Sequence, residues 1–316
     1  MAEIHVLHEN RPWVEPLAAA FEARGLAWRE WFLDEGSVDL GAEPPEGVFY
    51  NRMSASSHTR GHRHAAEFTA AVLAWLERHG RRVVNGSRAI DLEISKVRQY
   101  AALERVGVRT PRTVAVVGRG RIASEARRAF GEGPVILKPN RGGKGLGVQL
   151  FQSADALADH VMSESYEAPV DGVQLLQEYV EAPEPFITRA EFVGGRFLYA
   201  VEVDTSDGGF ELCPADVCAV GDTFCPTGTA ARDKFTIVRG IEPELVSAYE
   251  RFLAEAGVEI AGIEFIRGAH GLIRTYDVNT NTNYNADAEA KAGRFGMGAV
   301  ADFLGAELRR LYPAAA

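Results

Sequence analysis

The stretch PVILKPNRGGKGLGVQLF, residues 134–151, decides how the chain is read. An apolar run ends in Lys138-Pro139, a loop follows with Gly142, Gly143, Gly145 and Gly147 around Lys144, and a β-rich run closes it. The pattern predicts strand, glycine hairpin loop, strand. Glycines accept positive φ and leave backbone N–H groups bare, so such a loop closes over phosphate oxygens without side-chain clash. Lys138 and Lys144 add the positive charge that a triphosphate needs. Spacing excludes two other phosphate loops. A P-loop requires G-x-x-x-x-G-K-[ST] opening a helix, whereas Gly145 follows Lys144; a dinucleotide fingerprint also opens a helix, whereas here a strand follows. A tight hairpin that binds nothing explains this stretch alone equally well, so the decision passes to the flanking chain.

Composition sets the bounds. With 316 residues, 46% hydrophobic and 25% charged, the chain is globular and long enough for two or three domains. A formal net charge of −10 argues against an unspecific nucleic-acid surface, which relies on basic excess. There is no long apolar run and no basic segment leading into an apolar one at the start, so neither a membrane span nor export is expected, and the cytoplasm is the expected address. Cys213, Cys218 and Cys225 are odd in number and form no C-x-x-C pair, which reads as reduced thiols ahead of a three-cysteine metal site.

Before the glycine loop, expected strands over 4–7, 26–33, 48–51 and 82–85 alternate with helices over 12–24 and 65–79, giving a small α/β unit. The segment NRMSASSHTRGHRHA, residues 51–65, leaves a strand at its carboxyl end, where open α/β sheets hold ligands. Arg52, Arg60 and Arg63, helped by Ser54 and Ser56, are placed there to grip a substrate carboxylate, with a solvated basic turn as the equal alternative. His58, His62 and His64 support a metal site less well, since no carboxylate accompanies them. Ser95 is expected to cap a helix over 96–106. Lys96 lies in its first turn, unfavourable beside the positive end of the helix dipole, which points to an anionic partner.

After the loop, a helix over 153–162 and a strand over 173–180 are expected, the strand ending in Gln177-Glu178-Tyr179-Val180 before the Pro-rich EAPEPF. Backbone groups at such a break can read an adenine edge, or simply end a sheet. Strands over 187–193 and 196–203 join through Gly194-Gly195, irregular chain runs to Gly240, and a helix covers 243–256. The last informative piece is EIAGIEFIRGAHGLIRTYDVNTNTNYN, residues 259–285. Pairing its two strands about residues 268–271 puts Glu264 opposite Thr275 and projects Glu264, Thr275, Asp277 and Asn279 from one face. Hard oxygen ligands converging beside phosphates suit Mg²⁺. Burying Glu264 within IAGIEFI without a cation would be costly. A helical region broken at Gly293 and Gly296 closes the chain.

Lys96 at a helix start, Lys138-Pro139 before GGKGLG, the hinge QEYV and the set Glu264, Asp277, Asn279 together resemble the ATP-grasp superfamily, over about residues 83–285. IEFI with YDVNTNTNYN is most similar to its RimK-type and glutathione-synthetase-like carboxylate-amine ligases. The resemblance implies an α/β (α+β) architecture: an N-terminal α/β domain over 1–94, a lid subdomain over 95–182, and a C-terminal subdomain with the metal site over 183–316, the last two sandwiching ATP. It implies an ADP-forming ligase that makes an amide through an acyl phosphate, on an amino acid, a peptide or an acidic protein tail. Lys138, Arg189 and Asn279 would be catalytic. Lys96, Lys138, Gly142, Gly143, Lys144, Gly145, Gln177, Glu178, Tyr179, Val180 and Glu184 would bind ATP. Glu264, Asp277 and Asn279 would hold two Mg²⁺ ions, with Mn²⁺ as substitute, and Arg52, Ser54, Arg60 and Asn281 would bind the other substrate. A homo-oligomer is expected, with no nucleic acid or membrane partner. The sequence departs from relatives at Ile187, where they carry a ribose-binding acid, so Glu184 or Glu181 is the expected replacement. An ATP-grasp kinase and a non-catalytic nucleotide-binding regulator remain the alternatives.

Overall fold

The computed structural model describes residues 2–206, 234–238 and 240–313. The three cysteines lie outside them. The chain begins with β1 (Glu3–His8), α1 (Glu15–Glu22), β2 (Trp28–Phe32), β3 (Gly47–Asn51), α2 (Ala65–Arg78) and β4 (Arg82–Val84). The strands form a parallel sheet in the order β2-β1-β3-β4. β3 is buried along its whole length, as expected of a parallel strand covered on both faces. Phe49 and Leu7 pack with Leu73 and Leu76 of α2, while Val48 and Tyr50 pack with Leu17 and Phe21 of α1.

Residues 86–94, passed over in the sequence, form α3 (Ser87–Glu93). Next come α4 (Lys96–Arg105), β5 (Thr113–Val116), α5 (Ile122–Phe130), β6 (Val135–Pro139), β7 (Gln149–Phe151), α6 (Ala154–Met162) and β8 (Gln174–Glu178). The strands make an antiparallel sheet in the order β5-β8-β6-β7. The decisive stretch is strand, loop and strand as expected, with Val135 paired to Phe151. Ser95 caps α4 by accepting from the Arg98 N–H, and Asn140 pins the same helix end: its carbonyl accepts from Lys96 N and its Oδ1 from Val97 N. The first turn carrying Lys96 is thereby fixed to the base of the glycine loop. α5 was not anticipated.

The third sheet has the order β11-β10-β9-β12-β13, antiparallel throughout, from β9 (Phe186–Val193), β10 (Arg196–Asp204), β11 (Phe235–Val238), β12 (Ile260–Arg267) and β13 (Ile273–Asn279). α7 (Pro243–Ala256) packs on it through Tyr249, Phe252 and Leu253. The register of β12 and β13 differs from the expected one. Glu264 pairs with Asp277 and Phe265 with Thr275, so Tyr276 is the extra residue of a bulge. Thr275 consequently leaves the face shared by Glu264 and Asp277 and hydrogen-bonds the Tyr249 hydroxyl at 2.7 Å within the core. After α8 (Ala286–Ala292), α9 (Gly296–Leu311) returns to the first unit, and its Val300, Ala301, Leu304 and Leu308 complete the cluster containing Val48 and Tyr50.

Asn85 joins the first and third sheets. It is fully buried with φ of 56°, a left-handed conformation that asparagine tolerates better than most residues. Its Nδ2 donates to the carbonyls of Ile260 (2.7 Å) and Thr280 (3.0 Å), and its Oδ1 accepts from the amides of Glu259 (2.9 Å) and Ile260 (3.2 Å). Asn85→Ala leaves these backbone groups unpaired and is expected to cost on the order of 3 kcal/mol in urea unfolding. A loss under about 0.5 kcal/mol, the range of ordinary surface substitutions, would contradict this joint.

Candidate active site

A cleft of about 760 Å³ opens between the second and third sheets. Strand register grades its lining. On β6, Ile136 is paired with Gln177 near the end of β8, and Lys138 lies two residues further along. On β9, Ile187 precedes Arg189; on antiparallel β12, Glu264 pairs with Arg189 and Ile266 follows two residues later. Ile136, Ile187 and Ile266 therefore mark an apolar end near the hinge, and Lys138, Arg189 and Glu264 a charged end. Gln177, Glu178, Tyr179, Val180 and Glu184 line the cleft, with Gly142, Gly143, Lys144 and Gly145. Ile187 lines it as well, the apolar departure seen in the sequence. Glu181 is not among the lining residues, so of the two carboxylates expected to replace the acid at Ile187, Glu184 is the one that faces the space.

The charged end is buried. Lys96 Nζ lies 2.5 Å from Asp277 Oδ1. Lys138 Nζ donates to the Tyr100 hydroxyl at 2.6 Å and faces the rings of Tyr100 and Tyr276. Burial, with Lys96 nearby, brings its pKa down to about 7. Glu264 is pushed up to about 7, mainly by burial and further by Asp277, against the opposing pull of Arg189 3.2 Å away. Asn279 Nδ2 donates to Glu264 Oε1 at 3.2 Å, leaving its own oxygen uncommitted to that contact. Arg189 also donates to Glu191 (2.6 Å) and to the Thr282 hydroxyl. Its guanidinium lies across Gly262, where an added Cβ would meet Nε at 2.5 Å, so glycine is required there. The bulge brings Glu264, Asp277 and Asn279 together, carboxylate and amide oxygens of the kind that suit a hard divalent cation.

On the first-unit side, Ser54, Ser56 and Asn281 reach the cleft, while Arg52 and Arg60 do not line it. Arg52 is 2% exposed and donates to Asn281 Oδ1 (3.2 Å), the Thr282 carbonyl (3.0 Å) and Asn283 Oδ1 (2.8 Å). Arg60 is engaged by Glu9 and Ser56, and Arg63 by the Val170 carbonyl. These arginines spend donors within the protein and shape the wall behind the lining. Among the described residues no group of three or more His, Cys, Asp and Glu side chains is arranged to hold a metal, and His58, His62 and His64 belong to no such group. Sequence reasoning missed Trp13, Glu93 and Asn283 in the lining. Glu93 carries the clearest logic: it accepts from Ala55 N (3.1 Å), Thr280 N (2.8 Å) and Thr280 Oγ1 (2.9 Å), tying the loops after β3 and β13 together. Its only signal was a carboxylate flanked by Leu92 and Ile94.

The low Lys138 pKa gives a signed stability prediction. Between about pH 7 and its ordinary 10.5 the unfolded chain binds the extra proton, so the burial penalty is complete below pH 7 and relieved as pH rises. Lys138→Met should thus raise Tm over wild type more at pH 6 than at pH 9. Equal gains at both values, by differential scanning fluorimetry, would contradict the shift.

No family model and no curated protein matches the sequence. Solved structures do. The RimK domain ATP-grasp protein of Sphaerobacter thermophilus superposes with a TM-score of 0.65 at 17% identity, covering 96% of this chain and 99% of that one. The ATP-grasp ligase PsnB, in a complex with a phosphomimetic variant of its minimal precursor, Mg and ADP, gives 0.68 at 19% identity over 97% and 99%. The D-cycloserine synthetase DcsG gives 0.60 at 20% identity over 98% and 99%. Likeness at such identities speaks to architecture, and it extends over nearly the whole chain: the chain has the ATP-grasp fold.

Proposed function

We propose that the chain is an ATP-dependent ligase joining a carboxylate to an amine with release of ADP and phosphate. The observation that carries this reading is the graded cleft, apolar at the hinge and charged where Lys96 and Lys138 face Glu264, Asp277 and Asn279. A nucleotide would sit with its base toward Ile136, Ile187 and Ile266, its ribose toward Glu184 and its phosphates toward the lysines. Glu264, Asp277 and Asn279 would hold Mg²⁺, which when bound neutralises phosphate charge. The loop over 142–147 would shield the phosphates from water. Solved complexes of PsnB with Mg and ADP, and a synthetase such as DcsG, support nucleotide use and ligation by this fold.

In the reaction, a substrate carboxylate oxygen attacks the γ-phosphorus and ADP leaves. An amine then attacks the acyl carbon, the C–O bond to phosphate breaks, and the amine loses a proton. Arg189 would hold developing negative charge at the acyl group, and Lys138 at the transferred phosphoryl. Ser54, Ser56, Asn281 and Asn283 would orient the second substrate. Solved relatives include ligases captured with precursor peptides, which supports the peptide among the expected substrates.

Hydroxylamine trapping tests the ligase reading. Presented with amino acids and acidic peptides, ATP, Mg²⁺ and hydroxylamine, the protein should release ADP and form a hydroxamate with its proper carboxylate. ADP release with a stable phosphoester and no hydroxamate would identify a kinase instead. Asp277→Asn should lower turnover at least about 100-fold, the scale of losing a metal or charge-stabilising contact.

A further inference from the structure

Trp13, in the 3-10 turn Arg11–Trp13 after β1, is buried yet packs into none of the hydrophobic clusters. Its ring receives two cations instead. The Arg60 guanidinium carbon lies 4.8 Å from the ring centroid and Lys144 Nζ 4.6 Å. Arg60 is itself fixed, donating to the Glu9 carboxylate at 3.0 and 2.6 Å and to Ser56 Oγ at 3.1 Å. Ser56 Oγ is 2.9 Å from Ser54 Oγ, so the cleft-lining serines share this network. The glycine loop meets the same wall: a Cβ on Gly143 would stand 3.5 Å from Ser56 Oγ, ordinary contact distance. Lys144 adopts φ of 60°, a conformation disfavoured for a lysine, which its surroundings must hold.

We propose that Trp13 is the positioning residue that latches the glycine loop to the N-terminal unit, making loop closure depend on the arrangement of residues 52–60 at the substrate side. The proposal rests on the reading above in taking the loop as the cover of the nucleotide phosphates. The aromatic face attracts the Lys144 ammonium through its negative potential, and contacts of this kind shift an open–closed equilibrium by a factor of about 2 to 30. Arg60 anchors the ring from the substrate-side loop, and Glu9 offsets the charge that a second cation brings to it. A change at Ser56 or Arg60 is thus felt at the loop without any contact to the nucleotide.

Limited trypsin digestion of the full chain tests this without a known substrate, because Lys144-Gly145 is a cleavage point inside the loop. Fragments beginning at Gly145 are quantified by mass spectrometry for wild type, Trp13→Leu and Trp13→Phe. Cleavage after Lys144 should rise on the order of tenfold in Trp13→Leu and stay near wild type in Trp13→Phe, which keeps an aromatic face. An unchanged rate in Trp13→Leu, or an equal rise after Arg121, would overturn the latch. Lys144→Gln, which leaves Trp13 intact, should likewise speed amide exchange over residues 142–147, and unchanged exchange would also overturn it. Adding Mg·ATP to wild type separates the two readings. Protection of Lys144 by nucleotide belongs to the ATP assignment, so its absence beside fast cleavage of Trp13→Leu would refute that assignment and leave the latch standing.

Discussion

The site depends on a buried charge balance held across two sheets. Lys96 and Lys138 come from one side of the cleft, Glu264 and Asp277 from the other, with Arg189 beside Glu264. Charges removed from water persist only when paired and hydrogen-bonded, and here the pairing is incomplete. Lys138 and Glu264 are both drawn toward neutrality near pH 7. On the proposed reading, a polyphosphate with its cation would supply what each lacks, negative charge for the lysines and positive charge for the carboxylates.

The geometry of that set is fixed from outside it. The bulge at Tyr276 brings Asp277 opposite Glu264, and Gly262 leaves room for the Arg189 guanidinium. The loop after β13 is held to the first unit by Asn85, Glu93 and Arg52, each of which hydrogen-bonds residues within 280–283. Through these three side chains the parallel sheet, which contributes few lining residues, sets the position of the substrate-side wall. α9 reinforces the arrangement by closing the core shared by the first and third sheets.

Much of this was legible in the sequence because it lies in local patterns. Glycine spacing at 142–147, the apolar run before Lys138, and the alternation through Glu264 and Asp277 each follow from short-range periodicity, and α7 matched its expected bounds. The register of β13 was not legible, since a bulge is decided by packing of Thr275 against Tyr249 across the sheet. The partners of the arginines of residues 52–60 were not legible for a similar reason. Composition marks these arginines as available cations, whereas Glu9, Asn283 and the Thr282 carbonyl, distant in sequence, take up their donors. α3 and α5 escaped notice because both are short and rich in charged residues, and their helical state rests on tertiary packing.

The central claim is that the cleft binds nucleotide through a metal at Glu264, Asp277 and Asn279 and through the two lysines opposite. Calorimetric titration with a non-hydrolysable ATP analogue, in matched buffers with Mg²⁺ and with EDTA, measures this directly. The account predicts one nucleotide per chain with Mg²⁺ and at least about tenfold weaker binding without it. Equal affinity in the two buffers, or no binding in either, would contradict it.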